Sequence, residues 1–88
     1  MRYRKKPVEI EAWQFLGTLD NAPSWVKDSD AVHFEYVEND PDSSFLIIET
    51  LEGNHKATIQ DFIIQGVRGE LYPCKPDIFV ATYDAVDD

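Results

Sequence analysis

The sequence is poor in the features that define several large protein classes. A single cysteine, Cys74, excludes an internal disulfide and a zinc site built on paired thiols, and it is typical of a reducing compartment. The longest apolar runs, such as residues 45–48, are far shorter than the roughly 20 residues that a membrane-spanning helix needs. The basic start of the chain is not followed by an apolar stretch of signal-peptide length. We therefore expect a cytoplasmic protein without a membrane segment.

Basic side chains are scarce after residue 6. Four of the eight Lys and Arg residues are Arg2, Arg4, Lys5 and Lys6, so residues 7–88 carry a formal charge of 4 − 17 = −13, against −9 for the whole chain. Nucleic-acid binding depends on clustered cations that neutralise phosphates, so direct binding of nucleic acid is not expected. An acidic surface that imitates DNA remains an alternative, although most acidic surfaces serve solubility.

The apolar content is sufficient for one compact domain. With 88 residues, 43% hydrophobic and 12% aromatic, the chain can bury one core but not two. We expect residues 1–88 to form a single domain, with a frayed acidic tail at residues 84–88. Small domains have little stability to spare and many of them oligomerise, so a homo-oligomer is possible.

Alternating apolar and polar residues predict a mainly antiparallel sheet. The alternation favours strands over residues 7–16, 31–38, 44–53 and 55–59. The third of these is apolar on both faces over residues 45–48 and is therefore expected at the centre of the sheet. Gly53 and Asn54 tolerate positive φ angles and predict the tight turn that follows it.

A short helix is expected near residues 21–28, between the first two strands. Asp20 or Asn21 could cap it, Pro23 would lie in its first turn, and Trp25 and Val26 would pack inward.

The stretch GVRGELYPCKPDIF, residues 66–79, predicts how the domain closes. Gly66 and Gly69 suit a hairpin with Val67 and Arg68 near its tip. Two prolines, Pro73 and Pro76, make a sheet ladder across residues 73–76 unlikely by removing amide donors. Pro76 suits the first position of a C-terminal helix near residues 76–84, with Asp77 at the positive end of its dipole. The apolar face of that helix would consist of Ile78, Phe79, Thr82 and Tyr83.

These elements predict an α+β fold. Its sheet would be small, curved and antiparallel, with about five or six strands, and partly closed like a barrel.

The two ends of the chain carry a family resemblance. YRKKPVEIEAWQF near the start and DFIIQGVRGELYPCKPDIFVATYD near the end resemble small bacteriophage and prophage proteins of the PGDYG-domain type. Where that family has Pro-Gly-Asp-Tyr, this chain has Ile59, Gln60, Asp61 and Phe62, so only Asp61 is kept. The missing Pro-Gly pair argues against a tight turn at that point. The resemblance implies a phage origin, the host cytoplasm as location and a shared scaffold, but no particular activity.

No group of residues predicts catalysis, a metal site or a cofactor. Cys74 has no base placed to activate it and is interpreted as a small buried apolar residue. His33 and His55 have no ligand spacing to each other or to Cys74. The carboxylates Glu9 with Glu11, or Asp61 with Glu70, could do acid-base work only if buried, and are better interpreted as solvated faces or turn caps. The segment GVRG is too short for a phosphate-binding loop. We expect no enzymatic activity.

A binding role has more support. Arg68, Glu70, Tyr72 and Lys75 are recognition-type side chains on a segment bounded by glycine and proline, although packing and turn geometry explain this segment equally well. We expect a non-enzymatic phage accessory protein that binds a host or phage protein through a sheet edge or through the corner at residues 72–75. One alternative is a sponge for a small nucleotide signal, with cationic and aromatic groups drawn from Arg2, Arg4, Trp13, Arg68, Tyr72 and Lys75. The other is the DNA mimic.

Overall fold

Six strands and two α-helices make up the part of the chain that the structure describes, residues 1–4 and 7–86 of a computed structural model. The strands are β1 (Glu11–Gln14), β2 (Val32–Glu35), β3 (Phe45–Thr50), β4 (Gly53–Thr58), β5 (Phe62–Gln65) and β6 (Leu71–Cys74). The helices are α1 (Ser24–Lys27) and α2 (Pro76–Thr82), and a 3-10 turn spans Pro41–Ser43 in the β2–β3 loop.

The strands form two antiparallel sheets of three strands each. Their orders are β1-β5-β6 and β2-β3-β4, so β3 is central as expected. The expected antiparallel α+β class is confirmed, and the strand count is at the upper end of the expected range. The barrel-like closure is not confirmed, because the described residues contain two separate sheets rather than one curved sheet.

One apolar core lies between the two sheets. Both sheets and α1 contribute fully or almost fully buried side chains, which are Phe15, Ala22, Val26, Leu46, Ile48, Ala57, Ile63 and Leu71. Phe15 follows β1 and packs edge-on against Phe34 of β2, with 6.1 Å between the ring centroids. This aromatic pair joins the first sheet to the second.

The first strand is shorter than the alternation predicted. It covers residues 11–14 rather than 7–16, and Val8 is half exposed. Its partner strand explains the difference: Glu11 pairs with Gln65, the last residue of β5, and beyond it the chain turns away. Residues 7–10 therefore have no partner strand along β5.

The short helix α1 begins without the expected cap. It starts at Ser24, and Pro23 occupies the N-cap position with no side-chain hydrogen bond, so the prediction of capping by Asp20 or Asn21 is wrong. Val26 is buried and Trp25 is partly buried, as expected.

The β3–β4 turn lies two residues before its predicted place. Thr50 pairs with Gly53, which leaves Leu51 and Glu52 as the turn residues, while Asn54 belongs to β4. Gly53 has a φ of 111°, so its conformational freedom is used where the chain enters β4. The Thr50 hydroxyl donates to the Gly53 carbonyl (2.7 Å) and accepts from the Glu52 amide (3.1 Å).

Pro73 lies inside β6, contrary to the prediction that a ladder would stop before it. The Gly66 amide donates to the Glu70 carbonyl (2.8 Å), so these two residues form a hydrogen-bonded pair. Bonded and non-bonded pairs alternate along antiparallel strands, and the pair of Pro73 with Ile63 is therefore one without ladder hydrogen bonds. Its missing N–H would have pointed away from β5, and β6 is an edge strand where proline is tolerated. The β5–β6 hairpin has the expected tip, and Gly69 supplies a φ of 84°.

Helix α2 begins at Pro76, as predicted, with Asp77 in its first turn. It packs on the sheet through aromatic rings: Phe79 stacks on Phe62 of β5 with centroids 3.9 Å apart. Tyr83 follows, 5.1 Å from Phe79, whereas Ile78 is 56% exposed and Thr82 is also exposed. Only two of the four residues of the predicted apolar face, Phe79 and Tyr83, therefore take part in the aromatic packing of α2.

A tight turn occurs at residues 58–61 despite the absence of Pro-Gly. The Asp61 amide donates to the Thr58 carbonyl (3.0 Å), and Gln60 has a φ of 84°, the only positive φ among the described residues other than glycine. Gln60 thus takes the conformation that glycine would take with less strain. The tight turn that the missing Pro-Gly pair put in doubt is therefore present.

Substitution at Gln60 should report this strain. We expect Gln60→Val to lower the free energy of unfolding by about 1–2 kcal/mol, because a β-branched side chain is strongly disfavoured at positive φ. Gln60→Gly should match or exceed the wild type in stability. Urea unfolding followed by circular dichroism measures both, and equal midpoints for the Val and Gly variants would contradict the assignment of the turn.

The two ends of the chain lack regular structure where they are described. Residues 1–4 and 7–9 are exposed, and so are residues 84–86 of the expected acidic tail. Asp87 and Asp88 of that tail, and Lys5 and Lys6 of the basic cluster, lie outside the described residues.

Candidate functional site

The corner after β6 is organised around a buried carboxylate. Asp61 is 3% exposed, and its Oδ2 accepts hydrogen bonds from the Thr58 amide (2.9 Å) and the Thr58 hydroxyl (3.3 Å). Lys75, at the N-cap of α2, donates its ammonium to the same oxygen at 3.0 Å. The carboxylate therefore ties the 58–61 turn to the start of α2, and Lys75 is engaged within its own domain.

Tyr72 is also engaged internally. Its neighbour on β5 is Ile64, and its hydroxyl lies close to that of Tyr83, which follows α2. Burial raises the pKa of Tyr72 to about 12, and the neighbouring Tyr83 hydroxyl adds to the increase. The phenol is thus held in its protonated form and supports the docking of α2.

This pKa predicts a loss of stability in alkali. The folded state favours the protonated phenol, whereas an unfolded tyrosine ionises near pH 10. The contribution of Tyr72 to the free energy of unfolding is therefore full below pH 10 and falls as the pH rises towards about 12. Urea unfolding at pH 9 and pH 11 should show a smaller decline for Tyr72→Phe than for the wild type. The exposed control Tyr36→Phe should decline like the wild type, and parallel declines of all three proteins would contradict the prediction.

Arg68 and Glu70 lie at the tip of the β5–β6 hairpin. The Glu70 carboxylate accepts a hydrogen bond from the Arg68 amide at 3.0 Å, so Glu70 stabilises the turn. Both side chains are exposed. Lys75 lies beyond the other end of β6, whose four residues span roughly 13 Å. The four predicted contact residues therefore divide into an exposed pair at the tip and an internally bonded pair at the corner.

The residues considered for chemistry are also dispersed. Cys74 is partly exposed, and burial raises the pKa of its thiol, with Asp61 and Asp77 adding to the increase. The thiol is thus less reactive than a free cysteine at neutral pH. His33 lies 2.6 Å from the Glu49 carboxylate on the exposed face of the second sheet, and His55 is exposed on β4. Among residues 1–4 and 7–86, no three His, Cys, Asp or Glu side chains are grouped to hold a metal ion.

The nucleotide-sponge residues are not assembled within one chain. Trp13 lies on β1, two strands away from Tyr72, and packs against Phe15 with centroids 6.0 Å apart. Lys75 is bonded to Asp61, and Arg68 lies at the other end of β6.

A concave surface lies between the two hairpin tips, and we call it the tip groove. It has a volume of about 690 Å³, and the residues that line it include Glu49, Leu51, Glu52, Glu70, Leu71 and Pro73. Leu51 is fully exposed at the β3–β4 turn. A second hollow beside it, of about 660 Å³, adds Val67 and Arg68.

Sequence reasoning missed two parts of this arrangement. The first is the burial of Asp61 and its bond to Lys75, because the sequence indicated Asp61 only as a solvated residue or a turn cap. Its spacing to Thr58 is typical of an Asp that bonds back to the Thr amide across a turn. The second is the exposure of Leu51. The predicted strand over residues 44–53 included Leu51, and only the observed pairing of Thr50 with Gly53 places it in the turn.

Comparisons with known proteins gave no match to a family model, a curated protein or a solved structure. No helix within the described parts of the chain has the length and apolar character to cross a membrane.

Proposed function

We propose that this chain is a small phage-encoded accessory protein that acts without catalysis, by binding an extended segment of a host or phage protein along the outer edge of β2. The resemblance of its two ends to phage and prophage proteins supports the origin. The open backbone edge of β2, next to an exposed aromatic side chain, supports the binding mode.

Within the part of the chain that the structure describes, strand β2 has a partner on one side only. In the order β2-β3-β4 it is an edge, and the Glu49 amide donates to the Ala31 carbonyl at 2.9 Å. Antiparallel alternation then bonds His33 and Glu35 to β3 and directs the amide and carbonyl of Phe34 towards the open edge. A bound peptide strand would satisfy these groups, as in other cases of strand addition.

An exposed aromatic residue follows the strand. Tyr36 is 59% exposed, and its ring centroid is 6.4 Å from that of Phe34, which packs against the core. Tyrosine combines apolar area with a polar end and is enriched at protein interfaces. Charged groups border the edge at Glu35 and at the His33–Glu49 pair, and they oppose unspecific pairing of the edge with other strands.

The corner at residues 72–75 is less suited to recognition than this edge. A partner that binds Lys75 would first have to break the bond between Lys75 and Asp61. A partner that binds the Tyr72 hydroxyl would have to separate it from the Tyr83 hydroxyl. On β1, the side-chain amide of Gln14 already donates to the Gln60 carbonyl at 3.0 Å. Binding at the β2 edge breaks none of these contacts.

Affinity capture from host cells, combined with hydrogen exchange on the captured complex, tests the proposal. The wild type should retain a partner, and the backbone amide of Phe34 should exchange more slowly in the complex. Tyr36→Ala should weaken binding by about tenfold, the effect of losing an interface anchor worth about 1.4 kcal/mol.

The matched control is Val80→Ala on the exposed side of α2, which should bind like the wild type. Partner retention by Tyr36→Ala together with unchanged exchange at Phe34 would refute the β2 edge as the binding site. A rise in melting temperature with added nucleotides would instead favour the sponge, and competition with DNA for a host protein would favour the mimic.

A further inference from the structure

The tip groove is acidic and has an apolar floor. Glu49, Glu52 and Glu70 contribute three exposed carboxylates, and no Lys or Arg lines this groove among the described residues. Leu51 projects fully into solvent beside the buried Leu71. Such a surface is complementary to an extended segment in which cations alternate with apolar side chains.

The first four residues have this pattern. Arg2 and Arg4 alternate with Met1 and Tyr3, so an extended backbone directs the two arginines to one side and the two apolar groups to the other. All four side chains are exposed, with Tyr3 at 87%, so the segment does not rest on its own domain. The contacts between basic and acidic side chains among the described residues, His33–Glu49 and Lys75–Asp61, do not include Arg2 or Arg4.

The solvent-accessible surface area of the chain is consistent with a segment that projects from the folded body. The chain exposes 7017 Å², whereas a compact monomer of its mass is expected to expose about 5,300 Å². Residues 1–4 and 7–9 are all exposed and contribute to this surplus.

The segment leaves the domain close to the tip groove. Glu11, Gln65 and Leu71 lie side by side at the end of the first sheet, and the β5–β6 turn begins directly after Gln65. A stretch of ten residues can reach about 33–36 Å at full extension, and such a reach allows contact with a neighbouring copy. Because segment and groove share one end of the domain, a two-fold axis there would let two copies exchange both segments at once.

We infer that two copies of this chain form a reciprocal dimer, in which residues 1–4 of each copy bind the tip groove of the other. Arg2 and Arg4 pair with the groove carboxylates, in the manner favoured between guanidinium and carboxylate groups. Tyr3 covers Leu51. Each contact covers an exposed apolar group or an exposed charged group that the single chain leaves in solvent.

A charge-swap experiment tests this dimer by sedimentation velocity. One variant carries Arg2→Glu and Arg4→Glu, and the other carries Glu49→Lys and Glu52→Lys. The wild type should dimerise, whereas each double variant alone should dimerise at least about tenfold more weakly, because like charges then meet at both contacts. An equimolar mixture should dimerise again, because each reversed segment meets a groove of opposite charge.

The control Lys27→Glu with Lys56→Glu makes the same change in net charge as the segment variant but lies on the body of the domain, and it should dimerise like the wild type. A cooperative thermal transition for every variant would establish that each one is folded. A monomeric wild type at about 1 mM, a dimeric segment variant or a monomeric mixture would each overturn the inference.

Discussion

Phe15→Ala is expected to lower the free energy of unfolding by about 3–5 kcal/mol, the usual cost of deleting a buried phenylalanine ring. Phe15 is fully buried and contacts the rings of both Trp13 and Phe34. It is also the point at which the sheet containing β1 packs on the sheet containing β2. A cavity there would weaken the contact between the sheets as well as the packing within one of them.

The effect should be a large fraction of the whole stability of the domain. A chain of 88 residues is typically stable by about 4–13 kcal/mol, so at the lower end of that range the variant would be only marginally folded at room temperature. Urea unfolding followed by tryptophan fluorescence measures the loss. The adjacent residue provides a matched control: Leu16 is 68% exposed, and Leu16→Ala should change stability by no more than about 0.5 kcal/mol. Similar losses at both positions would contradict the core described above.

Asp61→Ala is expected to cost about 3 kcal/mol. The substitution leaves the Thr58 amide and hydroxyl without their acceptor and removes the counter-charge of Lys75. Hydrogen bonds to a charged group contribute about 1.5–3 kcal/mol, more than neutral ones do. Two elements far apart in sequence, the 58–61 turn and the start of α2, would lose their common anchor.

Two further substitutions separate the hydrogen bonds from the charge. Asp61→Asn keeps an acceptor for the Thr58 amide and loses the ion pair, so its cost should be smaller than that of Asp61→Ala. Lys75→Met should cost about 1 kcal/mol or less, because the lysine side chain is 57% exposed and exposed ion pairs contribute little. Thermal unfolding ranks the three variants, and a Lys75→Met loss equal to that of Asp61→Ala would show that the ion pair dominates instead.

Alternation in the sequence was sufficient to predict strands wherever a partner strand was available. Residues 32–35 and 45–50 pair with each other, and both fall within predicted strands. Val8 and Ile10 show the same alternation but lie outside β1, because β5 has only four residues and turns after Gln65. The length of a strand is thus limited by its partner, which a local pattern does not contain.

Proline and glycine were informative about turns and less so about strand ends. The hairpin at residues 66–69 and the helix start at Pro76 follow directly from their residue types. Pro73 gave a wrong prediction of where the ladder ends. Its effect depends on whether its nitrogen faces the partner strand, and that is set by the register of the two strands. The turn at Gln60 was not predicted, because tertiary contacts hold this residue at a φ angle that its own conformational preference disfavours.

The candidate surfaces required the three-dimensional fold. Asp61 and Lys75 are 14 residues apart and meet because Phe62 pairs with Cys74. The tip groove depends on how the two sheets pack, which brings Leu51 of one hairpin beside Gly69 and Glu70 of the other. No spacing along the chain encodes that juxtaposition.

Pro73 also limits how this protein can associate. The backbone positions of β6 that face away from β5 are Leu71 and Pro73, and Pro73 has no N–H to donate. An incoming strand could therefore not complete a ladder on that side of the first sheet. Edge-to-edge growth of the first sheet into a fibre needs a backbone ladder at both of its edges, and β6 cannot form a complete one. Open-ended growth through the first sheet is thereby disfavoured, whereas β2 of the second sheet keeps an open edge for a bound strand.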